Sequence, residues 1–144
     1  MLVETILKEK GREVVSVAPT TPVAEAAKIL SARRIGSVLV RDDGGGIAGI
    51  LSERDIVRGI ADHGAASIAM PVSALMTRDV VFASPADTLD AVLAVMTERR
   101  FRHLPVLENG RLVGLVSIGD VVKRKIEEVT EEAEGLRAFV QGAG

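Results

Sequence analysis

The stretch VVSVAPTTPVAEAAKILSARRIGSVLVRDDGGGIAGILSERDIVR, residues 14–58, is followed by a second version of itself, VVFASPADTLDAVLAVMTERRFRHLPVLENGRLVGLVSIGDVVK, residues 80–123. The two copies align with a single extra residue, Gly45, in the first. They share a proline, paired arginines, several glycines and a final Ser-x-x-Asp. A repeat of this period predicts two copies of one supersecondary unit that stack, share a core and leave two equivalent clefts between them.

Each copy predicts the order strand, helix, strand, strand, helix. Apolar and β-branched residues predict first strands at 14–17 and 80–83, each followed closely by a proline. Thr21 and Asp87 are predicted to cap the helices that come next, with Pro22 in the first helical position. The chain is therefore predicted to belong to the mixed α/β (α+β) class, with two β-α-β-β-α repeats.

Glycine-rich turns join the remaining strands of each copy in pairs. Strands at 37–40 and 47–51 are predicted to form one hairpin, and strands at 104–107 and 112–116 another. A long helix is predicted from residue 118 to 134, with a break near Gly135.

Four segments follow from this pattern. The first repeat with a short N-terminal helix occupies 1–61, a connector 62–71, the second repeat 72–125, and an acidic helical tail 126–144.

Composition excludes several classes of protein. The chain is 47% apolar and 2% aromatic, has no Cys, and carries a net charge of −2. Without Cys there is no disulfide and no thiolate chemistry, and two His residues do not make a zinc site. The charge is too weak for nucleic-acid binding, and no apolar run is long enough to span a membrane. These features predict a cytoplasmic protein with no bound metal.

The sharpest local motif closes both copies, as Gly49-Ile-Leu-Ser52-Glu-Arg-Asp55 and Gly114-Leu-Val-Ser117-Ile-Gly-Asp120. Each places Ser-x-x-Asp where a strand becomes a helix. One interpretation is a capping box, in which the Ser and Asp side chains satisfy the first N–H groups of the helix. The other is a binding site, because a helix N-terminus attracts phosphate and a carboxylate can accept hydrogen bonds from a ribose diol. The motif alone does not choose between them.

Several motifs in order, Thr-Thr-Pro-Val-x-x-Ala, Arg-His-Leu-Pro-Val and Gly-Leu-Val-Ser-x-x-Asp, make the chain resemble a cystathionine-β-synthase (CBS) domain pair, or Bateman module, of the small stand-alone bacterial type. The resemblance implies pseudo-twofold symmetry between the repeats and binding rather than catalysis. It implies an adenosine nucleotide (AMP, ADP or ATP, with NAD or S-adenosylmethionine as further options) in the clefts between repeats. It also implies a disc-like homodimer that signals to a separate, unidentified protein.

The resemblance also implies the residues of each cleft. In one cleft Ser117 would take phosphate and Asp120 the ribose diol, with further contacts from Arg102, His103, Thr20, Thr21 and Ala26. The other would use Ser52, Arg54, Asp55, Gly36, Ser37, Ser84, Asp87 and Val92.

The two clefts are expected to differ. Arg54 aligns with Gly119, and the pair Gly36-Ser37 aligns with Arg102-His103. Asp87, which aligns with Thr21, either accepts the exocyclic amino group of a base or caps its helix. Equal occupancy of the two clefts is therefore not implied.

Two other functions compete with the nucleotide sensor. One is a structural or protein-interaction dimer that does not respond to a ligand. The other is a small nucleotide-dependent enzyme, but the sequence offers no nucleophile–base pair, metal set or paired general acid and base.

Overall fold

The computed structural model describes residues 1–143, and the chain divides into two compact units. The continuous unit is Val14–Val80, and the split unit joins Met1–Glu13 to the chain from Val81 onward. The predicted segments place the N-terminal helix with the first repeat. In the structure this helix, α1 (Val3–Lys10), lies in the split unit, because its apolar face is buried in the same core as the strands of the second repeat.

The continuous unit contains the first repeat. Its elements run β1 (Ser16–Val17), α2 (Val23–Arg33), β2 (Ser37–Arg41), β3 (Ile47–Ser52) and α3 (Glu53–His63), followed by 3-10 turns at Gly64–Ala69 and Val72–Ala74. The sheet has the order β1-β2-β3, with β1 parallel to β2 and β3 antiparallel to it. Its core is aliphatic, made of Val23, Ala26, Leu30, Val38, Val40, Leu51, Val72 and Met76.

The split unit contains the second repeat together with α1. Its further elements are α4 (Leu89–Arg99), β4 (His103–Glu108), β5 (Arg111–Ser117) and α5 (Ile118–Ala143). β4 and β5 form an antiparallel hairpin whose turn places Asn109 and Gly110 at positive φ, as the sequence predicts for a tight hairpin. Its core combines α1 with α4, both strands and the start of α5: Val3, Ile6, Leu7, Ala83, Leu89, Val92, Met96, Leu104, Val106, Val116 and Val121.

The predicted first strands are shorter than expected. The first is reduced to Ser16–Val17, and the second to one parallel bridge between Ala83 and Val106. In both copies the pairing ends where the sequence predicts, at 17 and 83, and the residues left out of the strands lie at the predicted starts, 14–15 and 80–82. The buried residues also form two clusters, one within each unit, where the sequence predicts one shared core.

The predicted helix caps are wrong by one residue. Pro22 is the N-cap of α2, not its first helical residue, and α2 has no side-chain cap. α4 is capped by Thr88, whose hydroxyl accepts a hydrogen bond from the Ala91 N–H at 3.1 Å. Asp87 instead closes the preceding turn, where its carboxylate accepts from the Ser84 N–H at 2.8 Å. The tight turn before the helix thus uses the carboxylate that the sequence assigned to the cap.

Helix α5 is longer than predicted and continues without a break through Gly135. A single glycine costs a helix only about 1 kcal/mol relative to alanine, and no proline follows it. Along residues 1–143, no helix combines the length and the apolar character that crossing a bilayer requires.

Candidate functional site

The junction between β3 and α3 carries the first Ser-x-x-Asp. Ser52 Oγ accepts from the Asp55 N–H at 3.2 Å, and Asp55 Oδ2 accepts from the Ser52 N–H at 3.0 Å, which completes a capping box. The Thr77 hydroxyl adds hydrogen bonds of 3.2 and 3.4 Å to the two carboxylate oxygens, and an Arg58 guanidinium nitrogen lies 3.7 Å away. Asp55 is 5% exposed. Its carboxylate is therefore enclosed and bound by its own unit.

The junction between β5 and α5 repeats this geometry with different partners. Ser117 Oγ accepts from the Asp120 N–H at 3.1 Å, and Asp120 Oδ2 accepts from the Ser117 N–H at 2.9 Å. Lys10, at the end of α1, donates to the same Oδ2 at 2.7 Å and to the Leu115 carbonyl at 3.1 Å. The Asp120 side chain is 26% exposed. The capping interpretation thus holds at both junctions, but only the second carboxylate remains partly open to solvent.

The charge state of Asp120 follows from these contacts. Partial burial by itself raises the pKa of its carboxyl, but the hydrogen bonds from Lys10 and the Ser117 backbone, with the charge of Lys10, hold that pKa below its ordinary value. Asp120 is therefore a carboxylate at neutral pH and can only accept hydrogen bonds.

A pocket opens beside this carboxylate, between α1 and α5. Its volume is about 290 Å³, at the lower end of the range of ligand pockets. It is lined by Ile6, Glu9, Lys10, Asp120, Lys123 and Arg124. Glu9 pairs with both Lys123 and Arg124. The lining thus contains three cationic side chains against two carboxylates, which favours an anionic group.

The structure brings four predicted site residues to the two Ser-x-x-Asp junctions in equivalent ways. Ser37 lies opposite Ser52 in one hairpin, and His103 lies opposite Ser117 in the other. The Gly36 carbonyl accepts from the Glu53 N–H at 3.0 Å, and the Arg102 carbonyl accepts from the Ile118 N–H at 2.8 Å. The start of each hairpin is therefore fixed beside the first turn of the helix that follows it.

The remaining predicted residues lie at or near the starts of α2 and α4, except Arg54, which lies on α3. Thr20 and Thr21 follow β1 in a turn closed by the Thr21 N–H and the Ala18 carbonyl, and Ser84 and Asp87 form the matching turn of the second copy. Ala26 and Val92 are buried in the cores of their own units, so their side chains pack against those cores. Arg54 is exposed on the first turn of α3.

The sequence prediction missed two residues that contact the Asp carboxylates of the Ser-x-x-Asp junctions. Lys10 and Thr77 contact Asp120 and Asp55, and both lie outside the aligned copies. The repeat did not predict either residue. Lys10 and Thr77 lie in the segments in front of the two copies, and these segments do not carry the same residues at matching positions.

A model of the CBS domain matches residues 7–62 and again residues 72–127. The chain belongs to the CBS-domain family. Each matched segment contains one copy of the repeat, with the first strand of the second copy reduced to a single bridge, and the predicted tandem CBS pair is confirmed. The predicted segment boundaries stay predictions.

CBS-domain relatives and solved structures agree with this assignment. The mitochondrial CBS-domain protein CBSX3 of Arabidopsis thaliana is 34% identical over 83% of this chain, which spans 60% of that relative and 25–26% of longer plant relatives. A CBS-domain protein of Agrobacterium tumefaciens is 48% identical in its crystal structure, with a TM-score of 0.84 over 86% of this chain and 92% of that one. The CBS pair of protein MJ0100, crystallised with 5′-methylthioadenosine and S-adenosyl-L-methionine, is 26% identical, with a TM-score of 0.78 over 89% of this chain and 98% of that one.

Within the described part of the chain, His, Asp and Glu nowhere gather in the groups of three that hold an ion.

Proposed function

We propose that this protein is a regulatory module that binds an adenosine-containing ligand and acts as an energy or metabolite sensor. AMP, ADP and ATP are the first candidates, and NAD and S-adenosylmethionine are the alternatives. Membership of the CBS family supports the proposal, as does the solved relative that holds two adenosine compounds. CBS-pair proteins are generally regulatory rather than catalytic, so the proposed output is a change of shape or of partner affinity.

The observation that carries the proposal is the difference between the two Asp carboxylates. Asp55 accepts hydrogen bonds on both oxygens and is buried, so a ribose could reach it only by displacing Thr77. Asp120 is partly exposed, and the hydrogen bonds from Lys10 and from the Ser117 N–H go to one oxygen, Oδ2. We therefore place the preferred ligand at the Asp120 end, with one ligand per chain.

The chemistry at the Asp120 end suits a ribose phosphate. The ionised carboxylate can accept both hydroxyls of a ribose diol. The positive end of the α5 dipole lies at its first turn and favours phosphate there. The Ile118 and Asp120 N–H groups of this turn already donate to the Arg102 carbonyl and to Ser117 Oγ, so the attraction comes from the dipole rather than from these donors. Lys10, fixed by Asp120 and Leu115, adds a positive charge that favours a phosphorylated ligand over a neutral nucleoside.

The sensor requires a partner and a state change. We propose a homodimer that passes its signal to a separate protein, as the family resemblance implies. A ligand shifts such an equilibrium only if it binds one conformation more tightly than the other. Cytoplasmic location and the remaining cleft residues stay predictions.

Nucleotide binding is tested by thermal unfolding with AMP, ADP, ATP, NAD and S-adenosylmethionine in parallel. A ligand at 100 times its dissociation constant is expected to stabilise the protein by about 2.7 kcal/mol, a shift of several degrees. Asp120→Asn keeps the shape of the side chain but removes its charge, and we expect it to abolish most of the shift. Titration calorimetry of the best ligand then gives the number of sites per chain.

Asp55→Asn is the matched control. It lowers the melting temperature of the unliganded protein because Asp55 is buried, but it is expected to keep the ligand-induced shift. If no ligand raises the melting temperature of the wild type, the structural or protein-interaction dimer becomes the better description. If Asp55→Asn alone loses the response, the ligand lies at the other junction.

Two buried serines test whether a ligand also uses the Ser52 end. The Ser37 and Ser67 hydroxyls are buried and have no hydrogen-bond partner among the described residues. Removing such a group relieves a desolvation cost, so Ser37→Ala and Ser67→Ala are each expected to raise the free energy of unfolding by about 1 kcal/mol. Ser67 belongs to neither predicted cleft and serves as the control.

Both alanine variants are expected to keep the nucleotide response if the ligand binds at Asp120. Calorimetry of the same ligand with each variant checks this. A loss of affinity in Ser37→Ala, with Ser67→Ala unchanged, would contradict the single-site proposal and assign a ligand to the Ser52 end.

A further inference from the structure

The second half of α5 leaves the body of its own unit. The first half is held by buried Val121 and by Lys125, which pairs with Asp90 of α4 at 2.9 Å and with Glu128 at 2.9 Å. Every residue from 129 to 142 is exposed. At 1.5 Å per residue this part of the helix runs for about 21 Å.

An apolar stripe follows one face of this helix. Its members are spaced alternately four and three residues apart: Val122, Ile126, Val129, Ala133, Leu136 and Val140. All six are exposed within the single chain. This alternation is the heptad pattern of a coiled coil, in which the apolar seam of one helix packs against the seam of another. A helix that packs against no partner does not require this pattern.

The composition of the exposed part does not favour a helix standing alone. Val129, Thr130, Gly135 and Val140 all have low helix propensity. Helices of this length are marginal in water unless an apolar face is packed. The exposed part of the helix is therefore stable only if another surface packs against the stripe.

We infer that the occupant is α5 of a second copy of this chain, paired in parallel as a two-stranded coiled coil. In the heptad register of the stripe, Ile126, Ala133 and Val140 take a positions, and Val122, Val129 and Leu136 take d positions. β-Branched residues at a with Leu at d favour a parallel dimer. Two of the three a positions, Ile126 and Val140, and the last d position, Leu136, fit this preference.

The flanking charges also favour the parallel arrangement. In a parallel pair, Glu132 at position g faces Arg137 at position e of the other copy, which gives two attractive pairs per dimer. In the antiparallel register that aligns the same seam, Glu132 faces its own equivalent and Lys123 faces Arg137. Both antiparallel contacts bring like charges together. The sequence of α5 is thus complementary to itself in one orientation only.

This pairing does not depend on the nucleotide site, since its residues beyond Ile126 lie outside the Asp120 pocket. The helices can pair even if no nucleotide binds, and a nucleotide can bind even if the helices do not pair.

Cross-linking of the full chain tests the inference, because the protein contains no Cys that could interfere. Leu136→Cys places two thiols against each other across the seam of a parallel dimer, and mild oxidation is expected to convert it to covalent dimer about tenfold faster than Ala138→Cys, whose position f faces away from the seam. Equal rates for the two variants would overturn the inference. Preferential cross-linking of Leu136→Cys to Ile126→Cys in a mixed sample would overturn the parallel orientation.

A charge exchange in the chain without added Cys gives an independent test. Glu132→Arg is expected to weaken self-association about fivefold in sedimentation equilibrium and to make helicity more dependent on concentration, and adding Arg137→Glu is expected to restore both. A double variant that associates no better than Glu132→Arg would contradict the proposed pairing. If Leu136→Cys forms the disulfide but Glu132→Arg does not change self-association, the charges do not select the orientation.

Discussion

Gly49→Ala is expected to destabilise the continuous unit by about 3 kcal/mol, the upper end of the cost of overpacking. A Cβ at this position would lie 2.6 Å from the Thr77 carbonyl oxygen and 2.9 Å from the Met76 sulfur. The Thr77 carbonyl cannot retreat cheaply, because it accepts from the Ile50 N–H at 3.0 Å and the Thr77 N–H donates back to Ile50 at 2.9 Å. Urea unfolding measures the loss, and hydrogen exchange is expected to place it in residues 14–80.

Gly114→Ala is the matched control from the second copy. Its Cβ would lie 2.4 Å from Leu7 Cδ2, which is the end of a side chain that can change rotamer. We therefore expect a smaller cost, about 1 kcal/mol. Equal destabilisation by the two substitutions would show that the backbone carbonyl at Thr77 is not the obstacle.

Leu7→Ala is expected to destabilise the split unit by about 3 kcal/mol, within the usual range for a buried leucine. Leu7 is 1% exposed and packs with residues of the second repeat, including Gly114. The substitution leaves a cavity next to β5, so the largest increase in hydrogen exchange is expected in the second repeat. This outcome tests directly whether α1 belongs to the split unit.

Lys8→Ala, on an exposed position of the same helix, controls for changes in the helix itself. It is expected to change stability by less than about 0.5 kcal/mol. If Leu7→Ala instead increased exchange mainly within residues 14–80, the N-terminal helix would belong with the first repeat, as the sequence alone predicted.

The parts of the fold that local chemistry specifies were predictable. The hairpin of β4 and β5 follows from alternating apolar residues around Asn109-Gly110, a pair that readily takes positive φ. The capping boxes are one of the two interpretations that Ser and Asp at this spacing allow, and both form. The repeat alone was enough to predict a tandem pair of units.

The tertiary choices were not predictable from local pattern. The apolar face of α1 would suit the core of either repeat, and it is tertiary contacts, such as Leu7 against Gly114 and the Val3 N–H to the Asp87 carbonyl, that assign it to the second. The difference between Asp55 and Asp120 also depends on residues outside the copies, since Thr77 encloses one carboxylate and Lys10 pairs with the other. The unbroken α5 was missed because a lone glycine is a weak helix breaker.

The division of the chain into a continuous and a split unit also sets an order for folding during synthesis. Residues 14–80 contain their whole unit, so this part can complete its core as soon as it has left the ribosome. α1 is made before β5 and α5, and the apolar side chains of Val3, Ile6 and Leu7 stay exposed until those elements have been synthesised. This helix is therefore synthesised before the residues that bury it, and a chain stalled after residue 80 presents its apolar face to chaperones and proteases.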